Sequence, residues 1–103
     1  MENIKKIVDS VGDILTDASQ YVNIKGLDKN IVKEYINELN DLLMEFFNLV
    51  KTKSNVNAFK NDAITKIFKF FSNIQTNIKN ENLFLSNIEE MFDEYKTIKK
   101  VLK

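Results

Sequence analysis

Between Ile4 and Val22 every apolar side chain falls on one stripe of a helix. Ile4, Ile7, Val8, Val11, Ile14, Leu15, Ala18, Tyr21 and Val22 occupy positions a, d and e of a seven-residue repeat, and the positions between them are polar or glycine. The same three positions return at Val32, Tyr35, Ile36, Leu39, Leu42, Leu43, Phe46, Leu49 and Val50. Apolar spacing of i, i+3, i+4 and i+7 gives a helix one water-avoiding face, which must be buried against a neighbour. The pattern predicts an all-α fold in which helices cover one another's stripes.

Breaks in the stripe divide the chain into four units. Helix 1 is expected over about residues 3–23, with Gly26 as its C-terminal stop and Asp28 as the N-cap of the next helix. Helix 2 runs from about Lys29 to Lys51. Lys53-Ser54-Asn55-Val56-Asn57 interrupts the stripe with cap-forming residues and reads as a turn. Helix 3 follows from about Ala58 to Lys79, with Ala63, Ile64, Ile67, Phe70, Phe71, Ile74 and Ile78 inward. Asn80-Glu81-Asn82 marks the third turn. Helix 4 has two candidate starts, Asn82, or Ser86 with Glu89 completing a capping box. Its stripe is Ile88, Met91, Phe92, Tyr95, Ile98 and Leu102. Short turns make sequential helices antiparallel, so the expected architecture is an up-down-up-down four-helix bundle. A three-helix bundle with one longer helix is the alternative.

At 103 residues the chain is expected to form one domain over 1–103. Apolar residues make up 44%, enough for a folded core. There is no Cys, His, Trp, Pro or Arg, and all 15 basic residues are Lys. Lys, Asn and Ile together supply 41 of the 103 residues. Their codons are AT-rich, which points to a low-GC bacterium or to a phage or plasmid living in one. The absence of Cys removes any disulfide framework and fits a cytoplasmic location. The first residues begin an amphipathic helix and lack the unbroken apolar core of a signal peptide. No apolar run is long enough to span a bilayer.

These absences narrow the chemistry. Without His or Cys there is no Ser-His or Cys-His nucleophile pair, no zinc site of the usual N and S ligands, and no Glu-x-x-His di-iron motif. With two Gly there is no glycine-rich phosphate loop. The expectation is a non-enzymatic protein without a cofactor or metal. Glu89, Glu90, Asp93 and Glu94 cluster on helix 4. One reading is a hard-cation site. The other is an acidic first half matching the helix dipole ahead of the basic half Lys96, Lys99, Lys100 and Lys103. Glu34, Glu38, Asp41 and Glu45 form an acidic row on helix 2. Helix 3 carries a local excess of Lys and helix 1 of Asp, which suggests either complementary neighbours or a basic face turned outward. Net charge is zero and there is no Arg for bidentate contacts, so no nucleic-acid partner is expected.

Three apolar residues lie off the stripe. Phe47 and Phe68 fall at position b and Met44 at f, all widening the apolar face in the same direction. They either enter the core or form an exposed patch near Lys66 and Lys69. An exposed patch of Met and Phe is a protein interface in the making. Met44, Phe47, Lys66, Phe68 and Lys69 are therefore the candidate partner-binding residues. Gly12 also sits at b, mid-helix, either to admit a neighbouring side chain or as a weak point. Tyr21, Tyr35 and Tyr95 lie on stripe positions and are expected at the core rim with their hydroxyls toward water.

The function that follows is a small helical protein acting by protein–protein binding: a regulator, inhibitor or adaptor, including a phage- or mobile-element-encoded antagonist of a host protein. Two alternatives remain open. In size, helix count and its basic C-terminal end the chain resembles bacteriocin immunity proteins, four-helix bundles that would place it at a membrane surface; the likeness stops at those three features. A homo-oligomeric structural or assembly piece would bury the surplus apolar flank between copies.

Overall fold

The computed structural model describes residues 2–24, 28–52 and 62–102, and among these every regular element is a helix. Helix α1 spans Glu2–Val22, α2 Lys29–Thr52, α3 Asp62–Asn77 and α4 Glu81–Val101. The architecture is the antiparallel up-down-up-down four-helix bundle. Paired residues along each seam give the directions: Tyr21 meets Tyr35 between α1 and α2, Phe46 meets Phe71 between α2 and α3, and Asn73 meets Glu94 between α3 and α4. Helix α4 closes the ring by running antiparallel to α1, with Ser19 against Glu89 near one end and Gly12 against Tyr95 further along.

The stripe is the core. Ile4, Ile7, Val8, Val11, Leu15 and Ala18 of α1 join Val32, Leu39, Leu43, Phe46 and Val50 of α2 in one cluster. Ile64, Ile67, Phe70, Phe71 and Ile74 of α3, Ile78 just after it, and Phe84, Ile88, Met91, Tyr95 and Ile98 of α4 complete it. Phe46, Phe70 and Phe71 are wholly buried, and Phe46 meets Phe71 edge-to-face with ring centroids 4.3 Å apart. Each buried aromatic removes 150–250 Å² from water, at roughly 25 cal/mol per Å², so these rings carry much of the folding free energy. The stripe stops paying attention to the core at the end of α1, where Tyr21 and Val22 lie at 40% and 36% exposure.

Local chemistry sets the ends. Asp28 caps α2 as expected: its carboxylate accepts from the Asn30 N–H at 2.9 Å, and its carbonyl accepts from Ile31 and Val32. Gly26, the expected turn at 53–57 and the expected first residues of helix 3 lie outside the described residues. Helix α4 starts at neither Asn82 nor Ser86. Its cap is Asn80, whose side chain accepts from the N–H groups of Asn82 and Leu83. The third turn is therefore Ile78-Lys79-Asn80, two residues earlier than expected: α3 ends at Asn77, short of Lys79, and Glu81 and Asn82 are already helical. The Ser86 hydroxyl donates to the Leu83 carbonyl inside the helix. The earlier start carries Phe84 into the core, fully buried.

Polar contacts stitch α4 to its neighbours. The Asn87 amide donates to Asn77 Oδ1 at 2.6 Å, the Asn77 amide donates to the Asn73 carbonyl at 2.8 Å, and the Asn73 amide donates to Glu94 Oε2 at 2.8 Å. Asn77 is buried and satisfied, as a buried amide must be. On the other side of α4 the buried Ser19 hydroxyl donates to Glu89 Oε1 at 2.8 Å. Two of the four clustered carboxylates thus serve helix pairing. Among the described residues no three acidic side chains come together in a group suited to a metal ion.

The charge asymmetry between helices 1 and 3 is not a match between neighbours. Helix α1 packs on α2 and α4, with α3 across the diagonal. Among the described residues the ion pair formed is Lys96–Asp93, 3.9 Å apart within α4 and exposed. Lys96 also lies 4.5 Å from the Phe92 ring centroid and Lys99 5.9 Å from that of Tyr95, so half of the basic end is drawn onto its own aromatic residues. No described helix is long and apolar enough to cross a membrane.

Candidate partner-binding face

The seam between α2 and α3 is the open side of the bundle. The two helices meet at one end through an aromatic cluster and part at the other around a cleft. At the closed end Phe47 lies 5.5 Å from Phe46 and 5.4 Å from Phe68, both edge-on, and Phe68 lies 6.4 Å from Phe46. Phe47 is half-buried, so most of its ring is packing. Phe68 keeps 38% of its surface in water and Met44 57%. The surplus flank is therefore neither all core nor all surface: Phe47 belongs mainly to the first, Met44 to the second, and Phe68 spans both.

The lysines fall outside this cluster. Lys69 is one residue from Phe68, about 100° round the helix, and four before Asn73, so it points outward from the bundle. Lys66 is two residues away, about 200° round the helix, so it cannot share a face with Phe68. It shares its side of α3 with Asn73, one heptad on, whose amide bonds to Glu94 of α4. The structure thus brings Met44, Phe47 and Phe68 toward one face, leaves Lys69 pointing outward and turns Lys66 to the α4 side. Both lysines are exposed.

The open end holds residues that sequence reasoning passed over. A cleft of about 270 Å³ is lined by Ile36, Asn37 and Asn40 from α2 and by Gln75, Ile78 and Lys79 from the end of α3 and its following turn. Three of these repeat the positions of the aromatic end. Asn37 lies seven residues before Met44, Asn40 seven before Phe47, and Gln75 seven after Phe68. One ridge on each helix is therefore apolar at one end of the seam and carboxamide at the other. Asn40 joins the two, its Nδ2 lying 3.9 Å from Met44 Sδ. The heptad spacing from Met44, Phe47 and Phe68 was the signal that would have found the amides, but amides at outward positions resemble any solvated surface.

Compared with protein families, curated proteins and solved structures, the chain matches none of them.

Proposed function

We propose that this protein is a non-enzymatic binding module that acts by occupying a surface of a protein partner with its α2–α3 face, as a regulator, inhibitor or adaptor working in the cytoplasm. The observation that carries the reading is the outward placement of Met44 and Phe68, at 57% and 38% exposure, on the bundle's open seam. Large unbranched or aromatic side chains left in water beside polar groups are what protein interfaces bury. The residue inventory supports a binder over an enzyme, because a chain without His or Cys has few groups able to move protons near neutral pH.

The test is affinity capture from separated soluble and membrane fractions of a host lysate, with the intact chain and with a Met44→Asp, Phe68→Ser variant. Phe47 is left in place because its ring packs on Phe46. A soluble partner captured in stoichiometric amount by the intact chain and lost by a variant of unchanged helicity supports the reading. A partner retained by that variant sinks this face.

A second reading, action at a membrane surface, draws on Tyr21, Val22 and Ile24, exposed at the end of α1. The basic C-terminal end of α4 lies at the opposite end of the bundle, so the apolar and cationic groups do not combine as a bilayer would require. Flotation with anionic liposomes at low salt would revive this reading.

A further inference from the structure

The cleft at the open end of the α2–α3 seam is small, with a largely apolar wall, amide side chains around it and a positive charge at its edge. Its apolar members are Ile36, half-buried, and Ile78, at 9% exposure. Asn37, Asn40, Gln75 and Lys79 are the polar lining, and no carboxylate lines it. Asn37, Gln75 and Lys79 make no side-chain hydrogen bond or ion pair with any other described residue, and Asn40 makes only the long contact to Met44 Sδ. A volume of about 270 Å³ lies below the usual 300–1,000 Å³ of drug- and cofactor-sized pockets. It suits one or two residues of a larger ligand.

Each lining group selects a feature of that ligand. A carboxamide presents N–H donors and one acceptor oxygen, so a single side chain can pair with both the C=O and the N–H of a peptide backbone. Three of them around a cleft match an extended main chain better than they match an ion. The isoleucines provide contact for one aliphatic side chain. The Lys79 ammonium has three donors, no acceptor and no acidic neighbour in the cleft, so it favours a carboxylate. Nucleic acid is disfavoured, because a single Lys is a poor footprint for a polyanion.

We infer that the cleft formed by Ile36, Asn37, Asn40, Gln75, Ile78 and Lys79 receives an acidic peptide segment of the protein partner. An aliphatic side chain rests on Ile36 and Ile78, backbone amides pair with Asn37, Asn40 and Gln75, and an Asp or Glu carboxylate meets Lys79. The inference rests on the α2–α3 binding face and extends it by one heptad along the same ridges.

A displayed library of random nonapeptides, panned on the intact chain and on Lys79→Glu, tests it. The intact chain is expected to enrich peptides with Asp or Glu within a few positions of Leu, Ile or Val. Lys79→Glu should lose that acidic preference and bind the selected peptides roughly five- to tenfold more weakly, the scale of losing and then reversing one rim ion pair. The double variant Asn40→Ala, Gln75→Ala should weaken them too. Because Ala favours a helix over either amide, weakened binding there does not come from lost folding. Failure to enrich any peptide, enrichment without an acidic signature, or the same peptides recovered on Lys79→Glu would each overturn the inference. Selected peptides released by Met44→Asp but not by Lys79→Glu would overturn the cleft while leaving the binding face standing. Loss of lysate capture on Met44→Asp, Phe68→Ser judges that face separately.

Discussion

A methyl group is enough to test how α1 and α4 fit. Gly12 is buried, and a Cβ built there would fall within the ring of Tyr95, itself at 7% exposure. The glycine therefore admits a rigid side chain to the α1 backbone, and the alternative of an uncorrected weak point does not hold. Gly12→Ala would gain about 1 kcal/mol of helix propensity yet force the ring aside, for a net loss of about 1–2 kcal/mol in denaturant unfolding. With Tyr95→Leu already in place the same substitution should cost nothing or stabilise, a coupling that a double-mutant cycle reads directly. The tyrosines separate in the same way: Tyr95 is buried, Tyr35 half-buried and Tyr21 exposed, so only the last two sit at a rim. Burial raises the Tyr35 pKa above the ordinary tyrosine value, and Tyr21, Asp17, Glu38 and Glu34 raise it further. The folded state then holds the phenolic proton more tightly than the unfolded chain does. That stabilisation is complete below the unfolded value of about 10 and is lost as pH rises through the higher folded value. The denaturant midpoint should fall at alkaline pH, and fall less in Tyr35→Phe.

Helix ends and helix pairings follow different rules. The start of α4 depends on which of three nearby cap-forming residues takes the role, and Asn80 takes it by accepting two backbone N–H groups. Asn80→Ala should cost about 1 kcal/mol, while Ser86→Ala should stay within about 0.5 kcal/mol because Ser86 lies inside the helix. Equal costs, measured by chemical denaturation, would return the start to Ser86. The pairing of α3 with α4 rests on apolar burial plus the chain Asn87–Asn77–Asn73–Glu94. Asn77→Ala leaves the Asn87 amide without its acceptor and should destabilise by about 1–3 kcal/mol. Asn77 occupies stripe position d, where an apolar residue is expected, so its burial was visible in the heptad. Its partners were not, because Asn73 and Asn87 come from sites that look solvated until two helices are placed side by side.

At the scale of the molecule, the bundle leaves one seam less closed than the other three. The α2–α3 pair touches through Phe46, Phe47, Phe68 and Phe71 and opens toward Ile36 and Ile78. If a hetero-partner occupies that face, copies of this chain do not join through it. Static light scattering at high concentration should return the mass of one chain; a dimer that Met44→Asp dissociates would instead place a second copy on the face. The same geometry redistributes the candidate residues. Met44 and Phe68 stay exposed beside the seam, Phe47 is mostly packing, Lys69 points outward, and Lys66 turns toward α4.

The seven-residue period determined the fold class, because burying one face of each helix is a local requirement that any partner helix can meet. It also supplied the Asp28 cap and nearly all of the core, since those depend on spacing along a single helix. Which helices become neighbours is decided only when four stripes share one interior. That step set α1 diagonal to α3 and removed one of the two readings of their opposite charges, a match between neighbours. It placed Tyr95 on Gly12, and it aligned Asn37, Asn40 and Gln75 around a cleft. Each of these joins residues far apart in the chain, and the period of one helix carries no information about the rotation of the next.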